Sequence, residues 1–148
     1  METEKGFREE YSFLSNFTDF DKPMRYQGID FPTNEHFYQA MKFLNLEQRR
    51  FVSQHPKKGL KKFVTKHKYL WRKDWDEIKL KVMEYGLRYK FSDSNPILKR
   101  KLIETGNVTL IEYNWWHDKF WGVSLKDGEG ENNLGKLLMD IRKEINEE

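Results

Sequence analysis

Apolar residues recur at helical spacing near the C-terminus of the 148-residue chain. Leucine and isoleucine side chains fall there at positions i, i+3, i+4, i+7 and i+11, which is the pattern of a helix with one apolar face. The residues that carry this pattern are Leu134, Leu137, Leu138, Ile141 and Ile145. Asn132 and Asn133 precede it, so we expect them to cap a C-terminal helix.

Capping residues and helix breakers predict the helices of the first half of the chain. Thr33 is the expected N-cap of a helix that runs to about Ser53. Pro56 can open the next helix at its first position, where no N–H donor is needed. Asp74 is the expected cap of a third helix, which ends near Phe91.

The remaining elements are one further helix and the strands. Asn95-Pro96 should open the helix, and Gly106 should end it. We expect a hairpin over residues 24–31 around Gln27-Gly28, and a strand followed by a loop over residues 7–20. Residues 108–113 are rich in β-branched side chains and predict another strand of the same small sheet.

These elements predict an α+β fold, mostly helical, with a small sheet in a single domain. Residues 114–131 are expected to form a long loop, and long loops in compact domains are often functional. Aromatic residues make up 16% of the chain, which favours a folded domain although hydrophobic residues make up only 37%. The chain has no cysteine, which excludes disulfides and thiol nucleophiles.

The sequence predicts neither a membrane span nor a signal peptide. No run of 18 apolar residues occurs, and residues 1–10 are polar and acidic. A cytoplasmic location is the simplest expectation. The four histidines lack metal-ligand spacing, so we assign no metal and no cofactor.

Positive charge is concentrated in residues 49–73, which we call the basic segment. The net charge is +3, but this segment has ten basic residues and no acid, so the rest of the chain has 17 basic and 24 acidic residues. The ten are Arg49, Arg50, Lys57, Lys58, Lys61, Lys62, Lys66, Lys68, Arg72 and Lys73. The segment can attract a phosphate-bearing ligand or DNA. The alternative is a solvated helix face.

Glu35, Gln39 and Lys42 share one face of the predicted first helix, because they lie within about 60° of each other at 100° per residue. The apolar stripe lies on the opposite face. One interpretation is a solvated polar face. The other is a cleft, in which the carboxylate and the ammonium favour each other's charged forms.

Two groups of aromatic residues offer surfaces for a heterocycle. Residues 115–122, the tryptophan loop, hold three tryptophans beside His117 and Asp118. Rings around Asp118 would raise its pKa and suit it to acid–base work. Trp71 and Trp75 flank Arg72-Lys73, which can contact phosphate and ring together. Core packing is the alternative for both groups.

The glycine-rich stretch at residues 127–135 leads into a helix N-terminus, a weak signal for an anion site.

Six sequence blocks resemble the YbiA-like, or NADAR (NAD- and ADP-ribose-associated), family. They span about residues 7–142 in the family's order. The blocks are Tyr11-Ser12-Phe13-Leu14-Ser15-Asn16-Phe17, Phe31-Pro32-Thr33-Asn34-Glu35-His36-Phe37-Tyr38-Gln39-Ala40-Met41-Lys42-Phe43, Arg72-Lys73-Asp74-Trp75, Tyr89-Lys90-Phe91, Asp118-Lys119-Phe120-Trp121-Gly122 and Asn133-Leu134-Gly135-Lys136-Leu137-Leu138-Met139-Asp140-Ile141-Arg142.

The resemblance implies a single domain over residues 1–148 and hydrolysis of a ribose C1–nitrogen bond. The implied substrates are aminopyrimidine ribosyl phosphates of the riboflavin pathway or ADP-ribosylated guanine in DNA. Glu35, Trp75 and Asp118 fall on the family's active-site positions. The alternatives are a non-hydrolytic ADP-ribose reader and a nucleic-acid-binding module that uses the basic segment.

The candidate roles follow from that chemistry. We expect Glu35, Asp118 and Lys42 to be catalytic. Glu35 would be the carboxylate near the sugar, and Asp118 would be an acid–base or sugar-orienting group. Lys42 would keep Glu35 ionised or bind phosphate. Trp75 or Trp121 would stack on the base. The candidate substrate-binding residues are Asn16, His36, Gln39, Arg72, Trp75, Trp121, Gly122 and Asn133.

Overall fold

A computed structural model describes residues 6–148 of the chain, which form two compact units. The central unit is Asn16–Lys90, and the terminal unit combines residues 6–15 with residues 91–148. Helices predominate in both, so the α+β, mostly helical class is confirmed. Within residues 6–148, no helix is long and apolar enough to cross a membrane.

The central unit begins with the predicted hairpin. Strand β1 (Asp19–Tyr26) pairs antiparallel with β2 (Ile29–Thr33), and a bulge lies between Asp19 and Met24. Gln27 and Gly28 both have positive φ, 50° and 78°, which is the backbone of a tight type I′ turn. The hairpin is therefore longer than the expected residues 24–31, with the turn where it was predicted.

The helix that Thr33 caps is much shorter than predicted. Helix α1 (Asn34–Ala40) begins where expected, since the Thr33 hydroxyl accepts the His36 N–H at 3.1 Å. It ends 13 residues before Ser53, and a separate helix α2 (Leu46–Gln54) follows. Asn45 explains the break, because its side chain caps α2 by accepting the Gln48 N–H at 3.0 Å.

Two more helices complete the central unit. Helix α3 (Leu60–Lys66) begins after Gly59, whose φ is 78°, so the expected start at Pro56 is wrong. The left-handed residue forces a turn before α3 can begin. Helix α4 (Trp75–Lys90) follows Asp74 as predicted. Helix α1 packs against α2, α3, α4 and the hairpin, so it lies at the centre of this unit.

The terminal unit contains helices α5 (Pro96–Glu104) and α6 (Asn133–Asn146). Both were predicted, and Leu134, Leu138 and Ile141 of α6 are buried. The expected strand in residues 7–20 is wrong before Asp19, because Glu9–Leu14 forms a short 3-10 helix.

The predicted strand over residues 108–113 does not form, apart from its last residue. Strand β3 (Tyr113–Asn114) pairs in parallel with β4 (Val123–Ser124) inside the expected loop. Upstream, the Asn132 side chain donates to the Leu110 carbonyl and accepts the Glu112 N–H, both at 3.0 Å. One carboxamide therefore occupies the backbone groups that a neighbouring strand would use. Within residues 6–148 there are two separate two-stranded sheets instead of one.

Candidate functional site

Glu35 lies in the first turn of α1 and is buried, with 5% of its surface exposed. Its N–H donates to the Asn16 carbonyl at 2.9 Å. Its carboxylate Oε2 accepts a hydrogen bond from Gln39 Nε2 at 2.8 Å. Gln39 and Lys42 are also buried. The face shared by these three residues is therefore covered, and the solvated-face interpretation is wrong.

Gln39 carries a buried acceptor that is not satisfied. Its Nε2 serves Glu35, but among the residues that the structure describes no donor reaches Oε1. Rotating the amide would place Oε1 against the Glu35 carboxylate, so the observed orientation is favoured. A buried acceptor without a donor costs free energy, and functional sites are where such costs are found.

Lys42 is surrounded by aromatic rings. Its ammonium Nζ lies 4.2 Å from the Trp71 ring centroid, 5.4 Å from that of Tyr38 and 5.7 Å from that of Trp75. Burial lowers the pKa of Lys42 to about 8, although nearby Glu35 opposes this shift. Ring faces stabilise a cation. Lys42 can therefore hold or release a proton near neutral pH.

Trp75 is buried, with its ring packed edge-on to Tyr38 at a centroid distance of 4.9 Å. Trp75 thus belongs to the cage around Lys42. Sequence reasoning missed Tyr38 and Trp71 as partners of Lys42. The i, i+4 spacing of Tyr38 and Lys42 was the available signal for the first, since such pairs meet on a helix.

Lys61 of α3 reaches the same carboxylate. Its Nζ lies 3.8 Å from Glu35 Oε1, and its side chain is 52% exposed against 6% for Glu35. It was present in the sequence only as one of ten lysines and arginines in the basic segment. Helix α3 and α1 must pack together before this contact can be recognised.

His36 uses both ring nitrogens within the central unit. Nε2 donates to the His55 carbonyl at 2.7 Å, which leaves Nδ1 to accept from the Thr33 hydroxyl at 2.7 Å. Burial lowers the pKa of His36, and the bond to His55 partly offsets this. Because both ring nitrogens have protein partners, His36 positions the start of α1 and offers neither nitrogen to a ligand.

Asn16 also supports Glu35 from the backbone side. Its carbonyl holds the Glu35 N–H, and its Oδ1 accepts from Asn34 Nδ2 at 2.9 Å. Asn34 is fully buried against Gly86 of α4, where an added Cβ would lie 1.7 Å from Asn34 Oδ1. Only glycine fits there, so α4 fixes Asn34 and, through Asn16, the first turn of α1.

Arg72 is paired within its own loop. Nε and Nη2 donate to the two oxygens of Asp74 at 2.7 and 3.1 Å, and this partner lowers the pKa of Asp74. The Arg72 N–H donates to the Lys42 carbonyl at 2.7 Å. A groove of about 560 Å³ opens beside this pair. It is lined by Leu44, Asn45, Gln48, Leu70, Trp71, Arg72, Lys73 and Asp74.

Asp118 organises the tryptophan loop of the terminal unit. Its Oδ1 accepts the N–H groups of Phe120 and Trp121 at 3.0 and 2.9 Å. The fully buried Asn114 side chain accepts the Asp118 N–H and donates to the Asp118 carbonyl, both at 2.8 Å. Asn114 was missed by sequence reasoning. This network fixes the direction of the Asp118 carboxylate.

Gly122 and Asn133 hold the loop against the start of α6. Asn133 Nδ2 donates to the Phe120 carbonyl at 2.9 Å. A Cβ at Gly122 would lie 2.0 Å from the Glu112 carbonyl oxygen, so only glycine allows this approach. The N–H groups of Asn133 and Leu134 donate to the carbonyls of Phe120 and Trp121. These donors are therefore occupied, and the expected anion site at this helix N-terminus is not supported.

The rings of the tryptophan loop differ in exposure. Trp121 is half-buried and meets Phe120 edge-on at 4.8 Å, whereas Trp115 and Trp116 are each 58% exposed. Core packing, the alternative for this group, is therefore wrong for Trp115 and Trp116.

The chain matches one family model along nearly its whole length. That model, described as the NADAR domain, covers residues 3–146 and so both units. The chain is 33% identical over 139 residues to N-glycosidase YbiA of Escherichia coli strain K12, covering 93% of this chain and 83% of that protein. The NMR structure of E. coli YbiA superposes with a TM-score of 0.79 at 30% identity, covering 95% and 82% of the two chains.

Other relatives are much longer than this chain. A riboflavin biosynthesis protein of Vibrio vulnificus is 34% identical over 142 residues, which is 94% of this chain but 37% of that protein. The chloroplastic riboflavin biosynthesis protein PYRR of Zea mays is 36% identical over 149 residues, with 23% of its length covered. The fold and the sequence place this chain in the NADAR domain family. Within that family, its similarity to N-glycosidase YbiA extends over most of both chains.

Proposed function

We propose that the protein is an N-glycosidase, which hydrolyses the bond between C1 of a ribosyl phosphate and the nitrogen of a heterocyclic amine. The observation that carries this proposal is the buried cluster of Glu35, Gln39 and Lys42 in the central unit. It combines a carboxylate with an amine whose pKa is about 8. The relatives named N-glycosidase YbiA support the same reaction class.

Cleavage of a ribosyl C1–nitrogen bond passes through an oxocarbenium-like state, as in O-glycoside hydrolysis. The C1–nitrogen bond breaks with its electron pair going to nitrogen, and water supplies the new oxygen on C1. The Glu35 carboxylate stabilises the positive charge that develops at C1. The Lys42 ammonium donates a proton to the leaving nitrogen, because an acid with a pKa near the working pH is efficient. The proton that water loses on bonding to C1 returns to the Lys42 amine.

The remaining candidate residues support binding. Gln39 Oε1 accepts a hydrogen bond from a sugar hydroxyl, which supplies the donor that is missing among residues 6–148. For the terminal unit, the resemblance to the family supports Asp118 as a sugar-orienting residue and Trp121 as a ring that stacks on the base. The Trp75 ring contacts the Lys42 ammonium and so forms part of the wall of the site.

Aminopyrimidine ribosyl phosphates are the substrates best supported, because two relatives carry riboflavin biosynthesis in their names. ADP-ribosylated guanine in DNA is the second candidate. It is favoured by the exposed lysines of the basic segment, among them Lys58, Lys62 and Lys66. Other basic residues of the segment have protein partners: Lys57 binds Asp19, Arg49 binds Gln27 and the Phe43 carbonyl, and Arg72 binds Asp74.

Mass spectrometry of the products tests both candidates. Purified protein and its Glu35→Gln variant are offered a ribosylaminopyrimidine phosphate and, separately, ADP-ribosylated DNA. We expect free base from the first substrate with the wild type only. Release of unmodified guanine-containing DNA instead would establish the second candidate.

Binding without turnover would overturn the proposal. A non-hydrolytic reader would retain ADP-ribose and release nothing. A nucleic-acid-binding module would bind DNA with a steep dependence on salt and form no product.

A further inference from the structure

The Lys61 side chain lies next to the buried Glu35 carboxylate and is itself partly exposed to solvent. Its Nζ lies 3.8 Å from Glu35 Oε1 and 5.7 Å from the Phe17 ring centroid. At 3.8 Å the ammonium attracts the carboxylate but gives it no hydrogen bond, since N–H···O bonds span about 2.7–3.2 Å. Because half of the side chain is exposed, the ammonium can meet a ligand that approaches Glu35 from solvent.

The surroundings of Lys61 favour an anion. Helix α3 adds the exposed Lys62 and Lys66, and the basic segment contains no acid. The Glu35 carboxylate near Lys61 also accepts a hydrogen bond from Gln39 in the buried cluster. Clustered positive charge raises the local concentration of phosphate-bearing ligands.

A ribosyl phosphate has the geometry to span these two groups. Its phosphate lies one sugar ring away from C1, so a substrate with C1 beside Glu35 places its phosphate close to the ammonium on the solvent side. Lysine binds phosphate as a compact point charge with three donors.

We infer that Lys61 binds the substrate's phosphate and makes the site selective for a phosphorylated ribose over the unphosphorylated sugar. This inference rests on the proposed function for the identity of the sugar and for the position of its C1 beside Glu35. Lys61 is a specificity-determining residue in this assignment, separate from the groups that act on the C1–nitrogen bond.

Binding of ribose 5-phosphate and of ribose, followed by NMR titration, tests the inference without requiring turnover. The variants are Lys61→Met and Lys61→Arg, and the control is Lys81→Met, which removes an exposed lysine of α4 outside the basic segment. We expect Lys61→Met to weaken ribose 5-phosphate binding about 10- to 100-fold, the usual effect of losing a charge-assisted bond. Ribose binding should stay within about twofold. Lys61→Arg should retain phosphate binding, and Lys81→Met should resemble the wild type.

Three results would overturn the inference. In the first, Lys61→Met binds ribose 5-phosphate as well as the wild type does. In the second, Lys61→Met weakens ribose and ribose 5-phosphate equally, which would make Lys61 a positioning residue for Glu35. In the third, ribose 5-phosphate does not bind the wild type. The proposed function fails on a different result, the absence of free base from any ribosyl substrate, so the two failures can be told apart.

Discussion

In the central unit, polar side chains of α1 and of the turn after it are buried, whereas in the terminal unit polar side chains are bonded to the backbone of a loop. The buried residues Glu35, Gln39 and Lys42 include an amide oxygen that has no donor within residues 6–148 and an amine of lowered pKa. Asn114 and Asp118 instead accept hydrogen bonds from N–H groups of the tryptophan loop, and Asn114 also donates one to a carbonyl of that loop.

This difference separates a reactive arrangement from a supporting one. Buried charges with incomplete partners cost stability and are found where chemistry occurs. Carboxamides that satisfy the backbone stabilise one loop conformation. Substitutions of Glu35 and Lys42 should therefore change activity more than stability, and substitution of Asn114 should do the reverse.

The largest expected effect is the loss of activity in Glu35→Gln. The amide keeps the shape and can still accept from Gln39, but it removes the negative charge at C1. We expect kcat/KM for release of the free base to fall about 1,000-fold, with the thermal midpoint nearly unchanged. Glu77→Gln, an exposed position of α4, is the control. Near wild-type turnover by Glu35→Gln would remove Glu35 from the mechanism.

The matching test in the terminal unit is Asn114→Ala. It removes two hydrogen bonds to the backbone of residue 118 and leaves those groups without their partner. The free energy of unfolding should fall by about 3 kcal/mol, as measured by urea denaturation. Asn107→Ala, at an exposed turn, should change it by less than about 0.5 kcal/mol. Equal stability of the two variants would contradict the supporting role of the loop network.

The pH dependence of activity tests Lys42. Since its pKa is lowered to about 8, the ammonium predominates below pH 8 and is lost above it. If the ammonium is the acid, kcat/KM should fall about tenfold per pH unit above pH 8. Lys42→Met should lose activity and this limb of the pH profile together. A wild-type profile that stays flat to pH 10 would exclude Lys42 as the acid.

The smallest effect is expected from His36, which supports α1 without reacting. Its pKa is lowered in the folded protein, so the unfolded chain binds its proton first as the pH falls. Stability should therefore decrease below about pH 6.5, by at most about 1.4 kcal/mol per pH unit. His36→Gln should remove this slope, which urea denaturation at several pH values would measure. His117→Gln, an exposed position in the tryptophan loop, should keep it.

Local signals in the sequence were sufficient where one residue determines an element's boundary. Thr33 caps α1, Gln27-Gly28 forms the turn, and Asn95-Pro96 opens α5 as expected. The shared face of Glu35, Gln39 and Lys42 also followed from helical spacing. Whether that face was covered could not be decided, because the answer depends on how other elements pack against α1.

The failures have a common physical cause, which is a side chain that replaces backbone hydrogen bonds. Asn45 caps a new helix where apolar spacing favoured continuation, and Asn132 occupies the backbone groups of a predicted strand. Asparagine can act in these ways or simply lie in solvent. Its partners are determined by the tertiary structure, so sequence patterns alone do not reveal them.

All seven residues of α1 are buried, including four with polar side chains. A helix normally has a face on which substitutions are tolerated, but α1 has none, so saturation mutagenesis should find a continuous block of intolerant positions there. Attempts to retarget the enzyme would therefore begin at exposed positions such as Lys61 and Trp116. The absence of cysteine from the whole chain helps such work, since one introduced cysteine at either position would be a unique attachment point for a spectroscopic label.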